Sequence, residues 1–600
     1  MPYNRQKLQE LGVQPTNIKD PEYFHKVVDC QYACPAHTPV PEYIRMIAAG
    51  RYDDAYMINW ESNVFPGILG RVCDRPCEPA CRRGRVEEQP VAICRLKRVA
   101  ADNKKDIKNR LPSIAEKNGK KVALIGAGPA SLTVARGLAP LGYQVDLFDE
   151  QEVGGGFMRS QIPSFRLPAE VLAEEIGYIL DLGVMSQFNH YVESLKELLA
   201  KDYDAIFVGS GAPNGRDLTL PGRDEGCDDI HIGINWLESV AFDHTKSIGK
   251  NVIVLGGGNT AMDCCRTSRR LGGDNVRVVV RSPRDDMKAS PWEIEDAVGE
   301  DIPIFENHTP IEFVLKNGKL VGMNFDRVRA EYDDSGKRNL ISTGEDLVFM
   351  EADQVLIAIG QDNAYPWVER DIGIEFGKWD MPVVDTETFQ STNKKVFFGG
   401  DAAFGPSNII TAVAHGHQAA ISIDKFCKGK PVSERLAPGV NLLSQKMGFH
   451  EWTYDNHIDH DERHLVPHID KATALKNLKM EVEKGFDQNL GFEEAMRCLN
   501  CDVQTVFTDD LCIECDACED VCPTNCINFI FDAEEDELRN NLLVPATQKD
   551  QDLYVSVPLK TSRIMVKDEN VCLHCGLCAE RCPTAAWDMQ KFSYEVTKAG

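Results

Sequence analysis

Sixteen of the 21 cysteines in this 600-residue chain fall into four groups of four, and two of the groups are contiguous. Each contiguous group has the spacing C-x2-C-x2-C-x3-C-P, and the two runs are Cys512, Cys515, Cys518 and Cys522, then Cys572, Cys575, Cys578 and Cys582. Thiolates at this spacing bind [4Fe–4S] clusters, and the fourth cysteine of each run serves the neighbouring cluster. The spacing therefore predicts two ligand sets: Cys512, Cys515, Cys518 with Cys582, and Cys572, Cys575, Cys578 with Cys522.

Zinc is the alternative metal for four thiolates. Structural zinc sites usually join two C-x2-C pairs across a longer loop, whereas each run here holds three cysteines within seven residues and a fourth before proline. The spacing thus favours clusters that carry electrons one at a time. Disulfides are disfavoured, because the N-terminal sequence MPYNRQKLQELGV lacks the apolar core of a signal peptide and cysteine-rich intracellular chains more often bind metal. We therefore expect a cytoplasmic protein.

A glycine-rich loop in the middle of the chain has the pattern of a dinucleotide site. The loop follows an apolar run that begins at Lys121, and it contains Gly126, Gly128, Pro129, Ala130 and Ser131. A second apolar run ends at Asp149. The glycines let the backbone approach a pyrophosphate, the following helix start supplies N–H donors, and an acid at this distance binds a ribose hydroxyl. The segment therefore predicts a strand, a helix and a second strand around a dinucleotide.

A second copy of this pattern begins at residue 251. Its loop and helix start contain Gly256, Gly258, Asn259, Thr260 and Asp263. The next apolar run ends at Arg281, where a site for NAD(H) would place an acid. Arg281, helped by Arg284 or Lys288, would instead attract a 2′-phosphate. The pattern favours NADP(H), with NAD(H) as the alternative, and the competing interpretation is that these cations are solvated surface charges.

The second dinucleotide fold interrupts the first. We expect buried strands at 353–360 and 395–401 to complete the first fold, and Asp401 precedes a helix that starts near residue 408. Two such folds indicate one bound and one exchangeable cofactor. The start of this helix would stabilise an anionic reduced flavin. His415 and His417 are interpreted as ordinary helix residues, because nothing nearby requires a titrating base.

Residues 119–430 resemble the small subunit of NADPH-dependent glutamate synthase and its relatives, which include the flavin-bearing part of dihydropyrimidine dehydrogenase and the large subunit of NADH-dependent ferredoxin:NADP oxidoreductase. The segments that carry the resemblance are Gly126–Ala130, Gly155-Gly156, Ile162–Pro168, Tyr203–Ala212, Gly256–Asp263 and Gly399–Asp401. The resemblance implies FAD in the first domain, NADPH in the second and hydride transfer between them. It implies that FAD is also held by Gly155, Gly156, Arg166, Gly211, Gly400, Asp401 and Thr411. Ser131 and Gln161 replace family glycines.

The same relatives carry two further clusters in an N-terminal helical domain. Cys73, Cys77 and Cys81 match three ligands of the second cluster, and Lys97 stands where the family has a Glu or Gln ligand. Cys94 lies one helical turn before Lys97 and is the expected substitute ligand. A buried free cysteine is the alternative for Cys94.

The other N-terminal cluster is incomplete within its own segment, which offers Cys30 and Cys34. The missing half lies at Cys498 and Cys501, in an R-C-L-x-C stretch that resembles the one relatives carry just ahead of such a pair. We therefore expect these four cysteines to share a cluster, which requires the two ends of the chain to touch. The alternative is that these cysteines bind a zinc ion or remain as two separate pairs of reduced thiols.

These assignments predict a multi-domain α/β protein. The expected domains are an α-helical iron–sulfur domain (1–118), an FAD-binding domain in two parts (119–245 and 351–430) around an NAD(P)H-binding domain (246–350), a linker (431–495) and an α+β ferredoxin-like domain with two clusters (496–600). The net charge of -27 argues against nucleic acid as a partner. We expect no membrane span, because no run of about 18 apolar residues occurs.

The predicted function is that of an electron-transfer subunit, which links NADP(H) through FAD and four [4Fe–4S] clusters to a separate catalytic protein. The expected partner is a 2-oxoacid:acceptor oxidoreductase, with the large subunit of glutamate synthase or of a formate dehydrogenase as alternatives. Residues 496–600 hold 19 acidic and 9 basic side chains, so a docking protein should present a basic face there. We expect no catalytic residues beyond the flavin, because Gly-x-Ser-x-Gly, HExxH and Walker A patterns are missing from the sequence.

Two further hypotheses come from other classes of protein. The chain could be a self-contained NAD(P)H oxidoreductase that uses soluble ferredoxin or a small molecule. It could also be a non-catalytic assembly module, but the intact glycine loops argue against that. Purification with a stoichiometric partner separates the first hypothesis from the second.

Overall fold

The structure is a computed structural model that describes residues 15–87, 89–333, 338–435, 439–444, 462–531, 539, 542–546 and 551–600. Its helices are α1 (Pro21–Val27), α2 (Asp29–Tyr32), α3 (Val40–Ala48), α4 (Tyr52–Ser62), α5 (Pro66–Val72), α6 (Gly84–Glu87), α7 (Ile93–Asn103), α8 (Pro129–Leu138), α9 (Phe157–Ser160), α10 (Ala169–Leu180), α11 (Leu195–Leu199), α12 (Gly233–Ala241), α13 (Asn259–Arg270), α14 (Pro291–Gly299), α15 (Asp401–Phe404), α16 (Ile409–Cys427), α17 (Lys471–Ala474), α18 (Gln488–Met496), α19 (Ala517–Asp520) and α20 (Leu577–Arg581). Its strands are β1 (Lys121–Ile125), β2 (Gln144–Phe148), β3 (Met185–Gln187), β4 (Ala205–Val208), β5 (Asn214–Gly215), β6 (Ile230–Ile232), β7 (Asn251–Leu255), β8 (Asn275–Val279), β9 (Ile304–Phe305), β10 (His308–Lys316), β11 (Lys319–Tyr332), β12 (Arg338–Ser342), β13 (Val348–Glu351), β14 (Gln354–Ile357), β15 (Gln361–Asp362), β16 (Val396–Phe398), β17 (Gly439–Ser444), β18 (Val503–Phe507), β19 (Ile527–Ile530), β20 (Tyr554–Val555), β21 (Ile564–Lys567) and β22 (Trp587–Glu595).

The first sheet is parallel and has the strand order β16-β4-β1-β2-β3. Four of the five residues of β1 are buried, as expected for a strand that is covered on both faces. On one side α16 packs closely on α8, since a Cβ on Gly416 would lie 2.6 Å from the Ala130 oxygen. β16 joins this sheet only after the second sheet has been formed by the intervening chain, which confirms that the first fold is interrupted.

The second sheet is also parallel and has the order β6-β14-β7-β8-β9. This order corrects two boundaries. The sequence places 353–360 in the first fold, whereas its strand β14 pairs with β6 and β7 of the second sheet. β6 also belongs to the second sheet, although it lies within 119–245, the range predicted for the first part of the FAD-binding domain. A short apolar strand that is buried on both faces looks the same in either parallel sheet, so its sequence does not say which sheet it joins.

An antiparallel sheet formed by β10, β11, β12 and β13 covers part of the second sheet, and neither the glycine nor the cysteine pattern predicts it. Phe313, Met323 and Phe325 of this sheet are buried together with Ile253 and Leu255 of β7. The insertion therefore extends the core of the second domain and leaves the cleft-facing loops free.

The N-terminal helices dock on α10 through one buried carboxylate. Glu175 accepts hydrogen bonds from the backbone N–H of Gly67 at 2.6 Å and of Ile68 at 3.0 Å, and from the hydroxyl of Tyr56 at 2.8 Å. Burial raises the pKa of Glu175 to about 7, against the opposing effect of these donors. The contact fixes α5, and with it the segment that leads to Cys73, against the first domain.

The segment predicted as a linker packs across other domains. Residues 445–461 lie outside the described part of the chain, as do residues 1–14, on which the signal-peptide expectation rests. In the described part, Arg463 pairs with Glu78 at 2.7 Å and Lys471 pairs with Asp301 at 2.7 Å. α18 packs against α3 and α7. The chain thus crosses from the second domain to the N-terminal helices before it reaches the last cysteines.

Two three-stranded antiparallel sheets, ordered β17-β22-β18 and β19-β21-β20, form the C-terminal region, and β17 comes from the segment predicted as a linker. It contacts the N-terminal helices directly, because the Phe24 and Phe592 ring centroids are 6.1 Å apart and Arg45 donates to the Asp502 carboxylate at 2.7 Å. The two ends of the chain therefore touch, as the split cysteine pairs require. None of the helices among the described residues combines the length and the apolar character that crossing a membrane requires.

Candidate redox centres

A deep cleft lies between the first and second domains, and its open space, including the mouth, is about 1560 Å³. The predicted residues that line it are Gly126, Gly128, Pro129, Ala130, Asp149, Gly156, Arg166, Gly211, Gly400 and Asp401 from the first domain, and Asn259, Thr260 and Asp263 from the second. The other residues predicted for the two loops and the helix start lie beside the lining without forming it: Ser131, Gly155, Thr411, Gly256 and Gly258. Both predicted dinucleotide sites therefore open into one space.

The first glycine loop has a backbone that requires glycine. Gly126 has a φ of +87°, and a Cβ there would lie 2.6 Å from the Gly209 oxygen. Ser131, which replaces a family glycine, is fully buried, and a Cβ on Gly209 would lie 2.3 Å from its Oγ. Gly209 therefore provides the room that the serine needs. The loop keeps the open backbone over which a pyrophosphate fits.

Asp149 lies at the end of β2 beside this loop. Its carboxylate accepts hydrogen bonds from the backbone N–H of Ala127 at 2.5 Å and of Gln151 at 2.8 Å. Burial raises the pKa of Asp149, and the two N–H donors oppose that rise. The carboxylate is held at the cleft, where it fits a ribose hydroxyl.

The start of α16 forms another part of the cleft wall. Asn408 lines the cleft and caps the helix, because its side chain accepts the Thr411 N–H at 2.9 Å. Asp401 accepts the N–H of Ser407 at 3.0 Å, and burial raises its pKa to about 6. The N-terminus of this 19-residue helix favours a negative charge. The wall thus fits the electron-rich edge of a flavin. The sequence-based site residues do not include Asn408, although an asparagine before an apolar helix is a capping signal.

Arg166 joins the two domains across the cleft. Its guanidinium donates to the Asp263 carboxylate at 2.6 Å and also to the Glu293 carboxylate. Burial raises the pKa of Asp263 to about 6, and Arg166 opposes the rise. The sequence assigns Arg166 to FAD and Asp263 to NADP, whereas in the structure they bind each other. This buried ion pair holds the two glycine loops at a defined separation.

Arg281, Arg284 and Lys288 lie just beyond the end of β8 and are exposed. Within the described part of the chain, their side chains form no ion pair with a carboxylate. They do not line the cleft itself. The three charges are therefore available at the place where the second strand of a dinucleotide fold meets the 2′-position of the adenosine ribose.

One C-terminal cavity is lined by five cysteines, and four of them, Cys522, Cys572, Cys575 and Cys578, form what we call the inner ferredoxin set. This is the exchange between the runs that the spacing predicts. Cys526 lines the same cavity, and its Sγ lies 3.5 Å from that of Cys522. Four thiols around one enclosed space fit a [4Fe–4S] cluster.

The other four cysteines of the two runs, Cys512, Cys515, Cys518 and Cys582, form the outer ferredoxin set. Burial raises the pKa of the Cys512 thiol, and the neighbouring thiols of Cys582 and Cys515 raise it further. Cys515 is exposed. The outer set is thus the one that reaches the surface of the protein.

A third cavity is lined by Cys30, Cys81, Cys498 and Cys501, which we call the junction set. The remaining cysteines of the N-terminal domain are Cys34, Cys73, Cys77 and Cys94, which we call the cleft-side set. All four lie within electrostatic range of the Lys97 ammonium. The structure therefore brings Cys30 of the N-terminal pair to Cys498 and Cys501, as expected, but it places Cys34 in the other set.

The grouping of these eight cysteines differs from the sequence-based one by a single exchange, because Cys81 takes the place given to Cys34. The physical reason is local. α2 ends at Tyr32, between Cys30 and Cys34, so the two thiols leave the chain in different directions although they are four residues apart. Spacing alone carries no information on where such a short helix ends.

The cleft-side set lies next to the cleft. Val72 and Asp74, which flank Cys73, both line the cleft. Burial raises the pKa of Asp74, and the nearby side chain of Asn408, the residue that caps α16, opposes that rise. One peptide segment therefore borders both the predicted flavin site and a thiol set.

A residue next to a cysteine also connects the junction set to the inner ferredoxin set. Arg82, the residue after Cys81, donates from Nη1 to the carbonyl oxygen of Cys572 at 2.7 Å. Burial raises the pKa of Cys578, and the thiol of Cys518 in the outer set is among the groups that raise it further. The buried Tyr43 lies within electrostatic range of Cys30 in the junction set and of Cys77, Cys94 and Cys34 in the cleft-side set, so these two sets are neighbours. The four thiol sets therefore follow one another from the cleft to the exposed Cys515.

Three family models match the chain. Residues 120–416 match the pyridine nucleotide-disulphide oxidoreductase model, residues 24–109 match dihydropyrimidine dehydrogenase domain II with its 4Fe-4S cluster, and residues 511–586 match a 4Fe-4S dicluster domain. The three matches follow the order of the helical, double-sheet and C-terminal regions. They confirm the predicted resemblance and the predicted fold class.

Curated relatives match over most of the chain. The NADP(+)-dependent formate dehydrogenase subunit beta of Moorella thermoacetica is 36% identical over 79% of this chain and 70% of its own length. The NADPH-Fe(3+) oxidoreductase subunit beta of Geobacter sulfurreducens is 31% identical over 81% and 77%. The small chain of glutamate synthase [NADPH] from Escherichia coli is 32% identical over 66% and 87%. The chain therefore belongs to the glutamate synthase small-chain-like family of FAD- and NAD(P)H-binding iron–sulfur oxidoreductases.

Proposed function

We propose that this chain exchanges hydride between NADP(H) and FAD and passes single electrons through four [4Fe–4S] clusters to or from a separate catalytic subunit. The observation that carries the proposal is the row of four thiol sets between the cleft and Cys515. When bound, the flavin supplies the conversion between a hydride and single electrons. The residues of the chain bind, orient and insulate the groups on either side of that conversion.

The cleft supports the hydride step, because residues of both domains line one space. Asn259 and Thr260 of the second domain face the same cleft as Gly400 and Asp401 of the first. Cofactors held by the two glycine loops would therefore approach each other, and holding two reactants in the required geometry supplies much of the rate. The ion pairs of Arg166 keep the two domains at that separation.

The thiol row supports single-electron transfer over a long path. Each set lies beside the next through a short connection, such as the hydrogen bond from Arg82 to the Cys572 carbonyl. A series of neighbouring carriers replaces one long transfer by several short ones. The cysteines of the row are mostly buried, whereas Cys515 at its end is exposed, which favours exchange with a partner at that end.

NADP(H) is the preferred nucleotide in this proposal. The three cations after β8 are exposed and unpaired with described carboxylates, and a 2′-phosphate would give them a charged partner. The names of the formate dehydrogenase, Fe(3+) oxidoreductase and glutamate synthase relatives all refer to NADP(+) or NADPH, which supports the same preference.

The proposed partner is a catalytic oxidoreductase subunit that docks at the outer ferredoxin set. Leu511 and Ile513, next to Cys512, are 47% and 52% exposed, so an apolar contact surface lies at the outer set. The excess of acidic side chains in 496–600 favours a basic partner face. The relatives that are named as beta subunits support a formate dehydrogenase type first, ahead of the glutamate synthase large subunit and a 2-oxoacid:acceptor oxidoreductase.

Anaerobic purification of the full chain from its native host tests the proposal. We expect a stoichiometric catalytic protein to co-purify, and we expect NADPH to reduce the flavin of the isolated chain. Soluble ferredoxin should be reduced slowly by the isolated chain, compared with the rate through the complex. Full NADPH:ferredoxin turnover by the chain alone would instead establish the self-contained reductase, and flavin that NADPH does not reduce would exclude both functions.

A further inference from the structure

Lys97 is a buried cation at the cleft-side set. It lies on α7 one helical turn after Cys94, and it is 3% exposed. The thiols of Cys94, Cys73 and Cys77 are the charge partners around its ammonium group. Among the described residues, no carboxylate forms an ion pair with it. The anionic groups that compensate its charge are therefore the cysteine ligands.

Arg82 and Lys567 are buried cations next to other thiol sets, and each of them is paired with a carboxylate. Arg82, between the junction set and the inner ferredoxin set, pairs with the buried carboxylate of Asp29. Lys567, near Cys572, pairs with Glu569 at 2.8 Å, and both side chains are 0% exposed. Lys97 differs from both, since its charge is not cancelled by a carboxylate within the described residues.

Arg75 and Glu78, which lie beside the cleft-side set, do not neutralise the charge of Lys97. Arg75 donates its backbone N–H to Cys73 Sγ at 3.4 Å, while its guanidinium stacks 4.0 Å from the ring centroid of Trp292. Glu78 accepts the Cys94 N–H at 3.1 Å, but its other oxygen pairs with Arg463 at 2.7 Å. The carboxylate of Glu78 is thus already matched by another cation.

We propose that the buried positive charge of Lys97 raises the reduction potential of the cluster held by the cleft-side set. This inference rests on the proposed function, because it assumes that the set holds a [4Fe–4S] cluster. A four-thiolate cluster is negatively charged, and its charge grows when it accepts an electron. A buried ammonium in a low-dielectric environment stabilises the reduced form more than the oxidised form, and potentials of such clusters follow the local charge. The cluster beside the flavin thereby becomes the favoured first electron acceptor.

Redox titrations of neutral variants test this role. Lys97→Met and Lys97→Leu replace the ammonium by an apolar side chain, whereas Lys97→Arg keeps the positive charge. Lys104→Met is the control for the loss of a lysine: Lys104 follows the same helix, and its ammonium pairs with Glu174 at 2.8 Å. Each full-length protein is titrated with chemical mediators, and the midpoint of every cluster is followed by EPR. We expect one midpoint to move to a more negative potential in the neutral Lys97 variants. It should remain unchanged in Lys97→Arg and Lys104→Met.

Unchanged midpoints in a neutral Lys97 variant that keeps its full iron content would overturn the proposal. Loss of iron from both neutral variants but not from Lys97→Arg would also overturn it, because the ammonium would then be needed to hold the cluster. The titration uses neither NADPH nor a partner. A failure of the proposed function would instead appear in the wild-type protein, as a flavin that NADPH does not reduce or as a missing fourth cluster.

Discussion

Replacing Cys498 by serine is expected to remove about four of about sixteen irons, since each complete thiol set holds one [4Fe–4S] cluster. Cys498 lines the junction cavity together with Cys81, whereas Cys34 belongs to the cleft-side set. The double variant Cys81→Ser/Cys498→Ser should therefore lose the same four irons as either single variant. The double variant Cys34→Ser/Cys498→Ser should lose about eight, because it damages two clusters.

Iron and sulfide analysis of anaerobically purified protein measures these losses, and EPR identifies the clusters that remain. Cys498→Ala serves as a second variant, since a serine oxygen can itself bind iron. Cys227→Ser is the matched control, because Cys227 is exposed and lies outside all four sets. If Cys34→Ser/Cys498→Ser lost about four irons and Cys81→Ser/Cys498→Ser lost about eight, the grouping expected from sequence would be correct and the observed cavity would not hold the cluster.

The same variants separate two activities. The junction set joins Cys30 and Cys81 of the N-terminal domain to Cys498 and Cys501 at the start of the C-terminal domain. Metal binding there should therefore stabilise the contact between the two domains. Cys498→Ser should leave flavin reduction by NADPH largely intact, because the cleft is formed by other residues. It should abolish electron transfer to the partner. Full iron content and full partner transfer in Cys498→Ser would refute the shared cluster.

Four other measurements test the remaining inferences. The wild-type chain should contain about sixteen irons and one FAD, and metal analysis that finds about eight irons with zinc as the balance would limit clusters to the ferredoxin runs. Arg281→Asp should weaken NADPH binding by about 1 to 3 kcal/mol and NADH binding much less, because a charge-assisted pair is lost; equal losses in a binding titration would place the 2′-phosphate elsewhere. Gly256→Ala should lower the Tm, because Gly256 has a φ of +136° and a Cβ there would lie 2.1 Å from the Ala358 oxygen. Gly258→Ala should keep the Tm, because a Cβ there would meet nothing within 4 Å, and it should weaken NADPH binding. The pKa of Glu175 is raised in the folded protein from 4.5 to about 7, so the folded state binds its proton more tightly than the unfolded state does. Its contribution to stability should be present below about pH 4.5 and lost as the pH rises through 7; denaturation curves of Glu175→Gln should lack this loss, and a wild-type stability that is flat over this range would contradict the assignment.

Local patterns in the sequence are sufficient where all the interacting groups lie close together in the chain. The two glycine loops predict both parallel sheets, because the turn, the helix start and the strand that precedes them are contiguous. The ferredoxin runs predict the exchange of Cys522 with Cys582, because each run is short and its spacing is specific to one cluster type. The inserted order of the two domains also follows from the sequence, and the strand orders of the two sheets confirm it.

The tertiary structure decides what depends on direction or on distant partners. The strand at 354–357 has the same apolar character in either sheet, and only its pairing with β6 and β7 assigns it to the second domain. Cys34 and Cys81 exchange places because a short helix ends at Tyr32, which spacing does not reveal. Lys97 reads in the sequence as a lost ligand. The structure buries its side chain beside four thiols, so its ammonium acts on them as a positive charge and not as a ligand. This role depends on which groups surround the ammonium in space, and the sequence does not show them.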